Sequence, residues 1–150
     1  MKLASKEKYL KKTEEKLAEA RKYLDYLEDA RNQAPSAMES RHDTSRETLE
    51  MEVAAQKEVI KGLKQFEEFL KGCQEMSQIK EGAEFSIEFS DSGEKMQGAL
   101  YAPISVGLEG IRIITSKSPL GAALLGKTTG NSFSYQVGNS QISGKVEEIS

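Results

Sequence analysis

The sequence predicts an α+β fold: an N-terminal antiparallel α-helical hairpin of coiled-coil type, followed by a small antiparallel β domain with one short helix. Three observations predict it, namely a change of composition near residue 76, a seven-residue apolar repeat before that point and a two-residue alternation after it. Residues 1–76 hold 15 Lys and Arg, 16 Asp and Glu, and glycine only at positions 62 and 72; residues 77–150 hold 6 and 8 of those charges but ten glycines. Long charged side chains suit helices, whereas glycines punctuate strands and turns. The expected domains are therefore a hairpin arm over 1–76 and a β domain over 77–150.

In the first part Leu3, Leu10, Leu17 and Leu24 fall seven apart, with Thr13, Ala20, Leu27 and Ala34 as a companion row. The beat returns in Leu49, Gln56, Leu63 and Leu70, flanked by Val53, Val59, Ile60 and Phe66. A spacing of seven stacks side chains on one helix face and lets two helices share a seam. Between the runs, Pro35 removes an amide donor and disfavours helix at Ala34. Ser36 and Glu39 are spaced as a capping box for the second helix. Two helices of about 30 residues, each roughly 45 Å long at 1.5 Å per residue, joined by so short a turn must run antiparallel, as an arm leaving a body.

From Glu84 the period changes. Phe85, Ile87 and Phe89 alternate with Glu84, Ser86 and Glu88, the pattern of a strand with one wet face. Asp91-Ser92-Gly93-Glu94 reads as a turn. Further strands are expected over 96–102, 111–115, 132–137 and 141–147, the last two joined through Gly138-Asn139. In Ser118-Pro119-Leu120-Gly121-Ala122-Ala123-Leu124-Leu125-Gly126, Ser118 can cap, Pro119 suits the first helical position and Gly126 can end the element. Leu120, Leu124 and Leu125 are expected to complete the core. Phe85, Phe89, Tyr101, Phe133 and Tyr135 follow the strand alternation and read as core, not as a base-stacking platform.

The net charge of -3 argues against strong direct binding to free nucleic acid, which rests on neutralising phosphates. Cys73 is the only cysteine, so no disulfide forms within one chain. The sequence shows no signal-peptide pattern and no apolar run of membrane-spanning length, and a monomeric cytoplasmic protein with no membrane association is expected. Gly126-Lys127-Thr128 has the end of a phosphate-binding loop, but Ala122 stands where that loop needs glycine.

The run from Ser118 through Gly126 and on through Lys127-Thr128-Thr129-Gly130 resembles the signature of the Gre-type bacterial transcript cleavage and elongation factors. In these, a Ser-Pro pair, a short Leu-rich helix, Gly-Lys and a second Gly lead into the final hairpin. The resemblance is closest over about residues 111–147 and extends to the layout of the whole chain. It implies an FKBP-like β domain, without prolyl isomerase activity, that docks on core RNA polymerase at the rim of the secondary channel. Pro119, Leu120 and Lys127 would shape or support that docking surface. It further implies that the chain is no enzyme itself. Acidic residues at the arm tip would instead help the polymerase cleave its own backtracked transcript. No tightly bound cofactor is implied, only a Mg²⁺ shared with the polymerase.

The candidate metal-positioning residues at the tip are Glu39, Asp43 and Glu47. Successive members are four apart, so on a helix their carboxylates share a face, and Mg²⁺ seldom needs a full protein cage. The plainer reading is a charged helix surface in which Arg41 or Arg46 pairs with these acids. The chain also lacks the Gly-Asp-Leu-Ser-Glu-Asn type of tip found in cleavage-competent factors, and Arg41, His42 and Arg46 interleave with its acids. His42 falls on the seam, seven before Leu49, and reads as a packed residue, not a zinc ligand. Two alternatives thus stand beside cleavage stimulation: a non-cleaving regulator that binds the channel, and a coiled-coil scaffold unrelated to polymerase.

Overall fold

The structure is a computed structural model that describes residues 1–34, 44–101 and 107–150. Pro35, the Ser36/Glu39 pair, Arg41, His42 and Asp43 lie outside the described residues, as does the last position of the 96–102 strand. The elements are α1 (Leu3–Gln33), α2 (Ser45–Gly72), β1 (Glu84–Phe89), β2 (Lys95–Leu100), β3 (Ile113–Ile114), α3 (Pro119–Leu124), β4 (Ser132–Val137) and β5 (Ser140–Ile149). This is a helical hairpin followed by a sheet with one short helix. Two compact units result, one of Thr13–Glu67 and one of Met1–Lys12 with Glu68–Ser150.

In the first unit the seam is the one set by the seven-residue repeat. Thr13, Leu17, Ala20 and Leu27 of α1 are buried, as are Val53, Ile60, Leu63 and Phe66 of α2. Each buried Leu, Val, Ile or Phe contributes about 1.5–3 kcal/mol relative to exposure. Between the helices, Gln56 Nε2 donates to the Ala20 carbonyl at 3.0 Å, and Lys57 Nζ lies 3.6 Å from Glu28 Oε1. Gln56 thus uses its seam position to hold the partner backbone. Val59 departs from expectation and is 47% exposed. It lies one residue, about 100° of helix, from Ile60, which takes the seam place instead.

The second unit is built on a five-stranded sheet of order β3-β2-β1-β5-β4. β1 pairs antiparallel with β2 and β5, and β4 pairs antiparallel with β5, but β2 and β3 run parallel. The sheet is therefore mixed, not wholly antiparallel as expected. Residues 101–112 separate the two strands, and a stretch of that length is what a parallel crossover needs. The apolar spacing of 111–115 carries no information on direction. The core joins Ile79, Phe85, Ile87, Leu100, Phe133 and Val146 from the sheet side to Leu124 from α3. Leu3, expected on the helical seam, is 68% exposed, whereas Met1 and Tyr9 are buried. The Tyr9 hydroxyl donates to Glu84 Oε1 at 3.1 Å, which ties the first turns of α1 to β1. Cys73 is buried, its thiol donating to the Phe69 carbonyl at 3.4 Å, and burial pushes its pKa up. That is a packing cysteine. No helix among the described residues is long and apolar enough to cross a membrane.

Two glycines are required by close approach. A Cβ on Gly121 would stand 2.0 Å from the Thr115 carbonyl oxygen, and one on Gly144 would stand 2.4 Å from the Glu88 oxygen and 2.6 Å from Phe133 Cζ. Gly121→Ala is expected to cost about 3 kcal/mol or more, since neither backbone can give way cheaply. Gly72, with nothing within 4 Å of its notional Cβ, should gain about 0.5–1 kcal/mol from the same change. Urea denaturation of both variants checks the contrast; equal effects would contradict it.

Burial first, then the charge and hydrogen bond of Glu84, raise the Tyr9 pKa well above its ordinary value. The folded state holds the phenol proton more tightly than the unfolded chain does. Its stabilising contribution is therefore complete below about pH 10, the ordinary tyrosine value, and is lost as pH rises through the higher folded value. Tyr9→Phe should cost about 1 kcal/mol at neutral pH and lose less stability than the wild type above pH 10, as thermal melts across pH would show. An unchanged alkaline slope would contradict this.

Candidate functional site

The most specific stretch of the sequence builds the α3 region, and most of its residues make the fold itself. Ser118 Oγ accepts from the Gly121 amide at 3.0 Å and donates to the Thr115 carbonyl at 2.8 Å. One hydroxyl thus caps α3 and ties it to the preceding turn. Pro119 occupies the first helical turn, where its missing amide donor costs nothing. Gly121 is bare because Thr115 passes against it. Leu124 is fully buried, and Leu120 is half-buried against the core.

Leu125 was expected in the core, yet it is 49% exposed. At that residue the backbone turns to φ -55° and ψ 127°, so the helix ends at Leu124 with Gly126 just beyond the cap, where the glycine pattern puts it. Gly126 follows at φ +81°, a conformation that favours glycine. Its amide donates to the Ile79 carbonyl at 2.8 Å, and the Ile79 amide donates to the Lys127 carbonyl at the same distance. This backbone exchange fixes Lys127, which is half-buried, just past the helix end.

What the motif leaves outward is a surface of Pro119, Ala122 and Leu125, with Lys127 half-buried beside it. Beside it lies an open groove of about 530 Å³ lined by Ala122, Ala123, Leu125 and Lys127 from the α3 side and by Ser132 and Phe133 from β4. The groove has a small apolar floor, hydroxyls and one cation, which suits a protein surface better than an enclosed substrate. Sequence reasoning named Pro119, Leu120 and Lys127 but missed Leu125 and β4. An apolar residue before a terminating glycine carries no local sign of whether it faces in or out.

Of the three acidic candidates, only Glu47 is among the described residues; Glu39 and Asp43 are not. Glu47 is exposed in the first turn of α2, where a carboxylate complements the helix dipole. Arg46 pairs with Glu50, its Nε lying 3.7 Å from Oε1. An exposed pair of this kind contributes little to stability. Among the described residues no three His, Cys, Asp or Glu side chains are placed to hold a metal ion, and no buried side-chain N or O lacks a hydrogen-bond partner. Hard oxygen donors such as Glu47 fit Mg²⁺ by type, but a lone exposed carboxylate supplies one ligand at most.

Residues 74–150 match the family model for the C-terminal part of transcription elongation factor GreA/GreB. Among solved structures, GreA factor homolog 1 (Gfh1) of Thermus thermophilus is 23% identical with a TM-score of 0.41, covering 94% of either chain. Gfh1 of Thermus aquaticus is 24% identical with a TM-score of 0.44, over 97% of this chain and 92% of that one. The transcription elongation factor GreA/GreB from Nitrosomonas europaea is 20% identical with a TM-score of 0.41, over 59% of this chain and 78% of its own. No curated protein matches. The family match spans more than half of the 150 residues and includes the Ser118-capped helix and the strands around it, so the chain belongs to the GreA/GreB family of transcription elongation factors.

Proposed function

We propose that this protein binds core RNA polymerase at the secondary channel through the exposed surface of α3, and that the turn end of its helical hairpin acts inside the channel. The observation that carries the reading is the family match over 74–150. Its most specific residues build α3 and leave Pro119 and Leu125 exposed, with Lys127 half-buried beside them. Leu120 supports that surface from beneath.

Glu39, Asp43 and Glu47 are the carboxylates the hairpin would bring to the polymerase's own Mg²⁺. Bound there, the metal supplies Lewis-acid chemistry to transcript cleavage. The chain's part is to add hard oxygen ligands and negative charge, with no catalysis of its own. A second reading, a channel-bound regulator that does not stimulate cleavage, is favoured by Arg41, His42 and Arg46 among those acids, since interleaved cations weaken the local field on a metal.

Two measurements test these readings. Lys127→Glu should weaken binding to purified bacterial core polymerase at least about tenfold, or 1.4 kcal/mol, while leaving the far-ultraviolet circular dichroism unchanged. No binding by the wild type at low salt would overturn the docking reading. With a backtracked elongation complex and Mg²⁺, Asp43→Asn and Glu39→Gln should abolish stimulated cleavage and leave polymerase affinity within about twofold, since surface substitutions change stability by only a few tenths of a kcal/mol. Binding without cleavage by the wild type selects the non-cleaving regulator.

A further inference from the structure

The buried seam of the hairpin carries leucine, isoleucine, valine and phenylalanine, but Gln56 stands in the row that Leu49 and Leu63 continue. It is half-buried there. A polar side chain in such a row costs stability relative to leucine, and its best-attested use in paired helices is to fix their register. Gln56 Nε2 donates to the Ala20 carbonyl of α1 at 3.0 Å. Inside a helix that oxygen already accepts from the amide four residues on, so the glutamine takes its second lone pair. The opening is local. Buried Ala20 presents a single methyl, whereas Leu17, Leu24 and Leu27 on the same face are leucines. At Ala20 the short side chain lets α2 come close enough for a seam residue to reach the α1 backbone.

Apolar contacts are non-directional, so the leucine rows alone accept more than one stagger. A slide of one seam position, three or four residues, would set Gln56 against Leu17 or Leu24 and leave its amide without this acceptor. An unsatisfied buried amide costs more than one hydrogen bond gains. The largely exposed pair of Lys57 and Glu28, 3.6 Å apart, discriminates weakly between registers. Register matters because α2 is one continuous helix that also carries Glu47, about 13 Å before Gln56 along the axis. A slide of one seam position moves Glu47 by about 5 Å, whereas a carboxylate must come within about 2.1 Å of Mg²⁺ to ligate it.

We propose that Gln56 is a positioning residue. Its bond to Ala20 fixes the register of α2 on α1, and so sets how far Glu47 and the turn end of the hairpin reach toward the polymerase's Mg²⁺. The statement about reach rests on the channel reading above; the statement about register does not.

Double electron–electron resonance on the free chain tests the register. Spin labels are placed by Glu15→Cys and Met51→Cys, both exposed positions, in a Cys73→Ala background. With Gln56 in place one narrow distance is expected. Gln56→Leu should broaden it or add a second distance displaced by about 5 Å, the slide of one seam position. The same variant should melt a few degrees higher, because leucine fills the seam better; a residue that merely held the helices together would lower the melting temperature when removed. Gln56→Lys keeps a donor that specifies register and should restore the single distance. A single unshifted distance in folded Gln56→Leu overturns the proposal, as does a split distance in Gln56→Lys. On a backtracked elongation complex, Gln56→Leu should keep polymerase affinity within about twofold but lose at least about tenfold, or 1.4 kcal/mol, of the rate change that the wild type causes. An undiminished rate change beside a split distance overturns the link to reach. Failure of the wild type to bind polymerase overturns that link alone, since the distances are read without polymerase.

Discussion

Gly121 lies so close to the Thr115 carbonyl that a Cβ would come within 2.0 Å of that oxygen, and the shape of the C-terminal unit follows from this approach. With α3 held that near the preceding backbone, Ser118 can both cap the helix and bond Thr115. Leu124 can then reach the core between Phe85, Ile87 and Val146. A side chain at position 121 would lift the helix, uncap it and open the core at once. Gly144 plays the matching part across the sheet, letting the Phe133 ring cross β5 where any Cβ would block it.

Seen this way, the Ser-Pro-Leu-Gly run divides into residues that make the helix and residues the helix displays. Ser118, Gly121, Leu124 and Gly126 are consumed by caps, close approach and core. Pro119 and Leu125, with half-buried Lys127 beside them, are what remains at the surface. A sequence motif can therefore mark a family while most of its letters serve packing.

Much of the architecture was legible because it depends on periodicity. The seven-residue beat placed Leu17, Leu27, Val53, Ile60 and Leu63 on the buried seam, and the alternation after Glu84 gave β1 and β4 their bounds. What escaped reading was long-range or directional. The parallel sense of β3 depends on how residues 101–112 connect the strands, which apolar spacing does not encode. Tyr9 stands beside the expected seam residue Leu10, yet its partner Glu84 lies 75 positions away. Leu125 belongs to the same apolar run as Leu124, and only the extended turn at the helix end separates their fates. The carboxylates at Glu39 and Asp43 rest on spacing and family resemblance alone, because they lie outside the described residues.

The polymerase face proposed above is the outer side of α3 and the turn that follows it, Lys127 included. Amine-labelling mass spectrometry reads this directly, comparing lysine reactivity in the free chain and in a complex with core polymerase. Lys127, at the end of α3, should lose most of its reactivity on binding, while Lys95 on β2, held to Glu147 at 2.9 Å, should change little. Full reactivity of Lys127 within a demonstrated complex would contradict the claim and move the contact to another face of the protein.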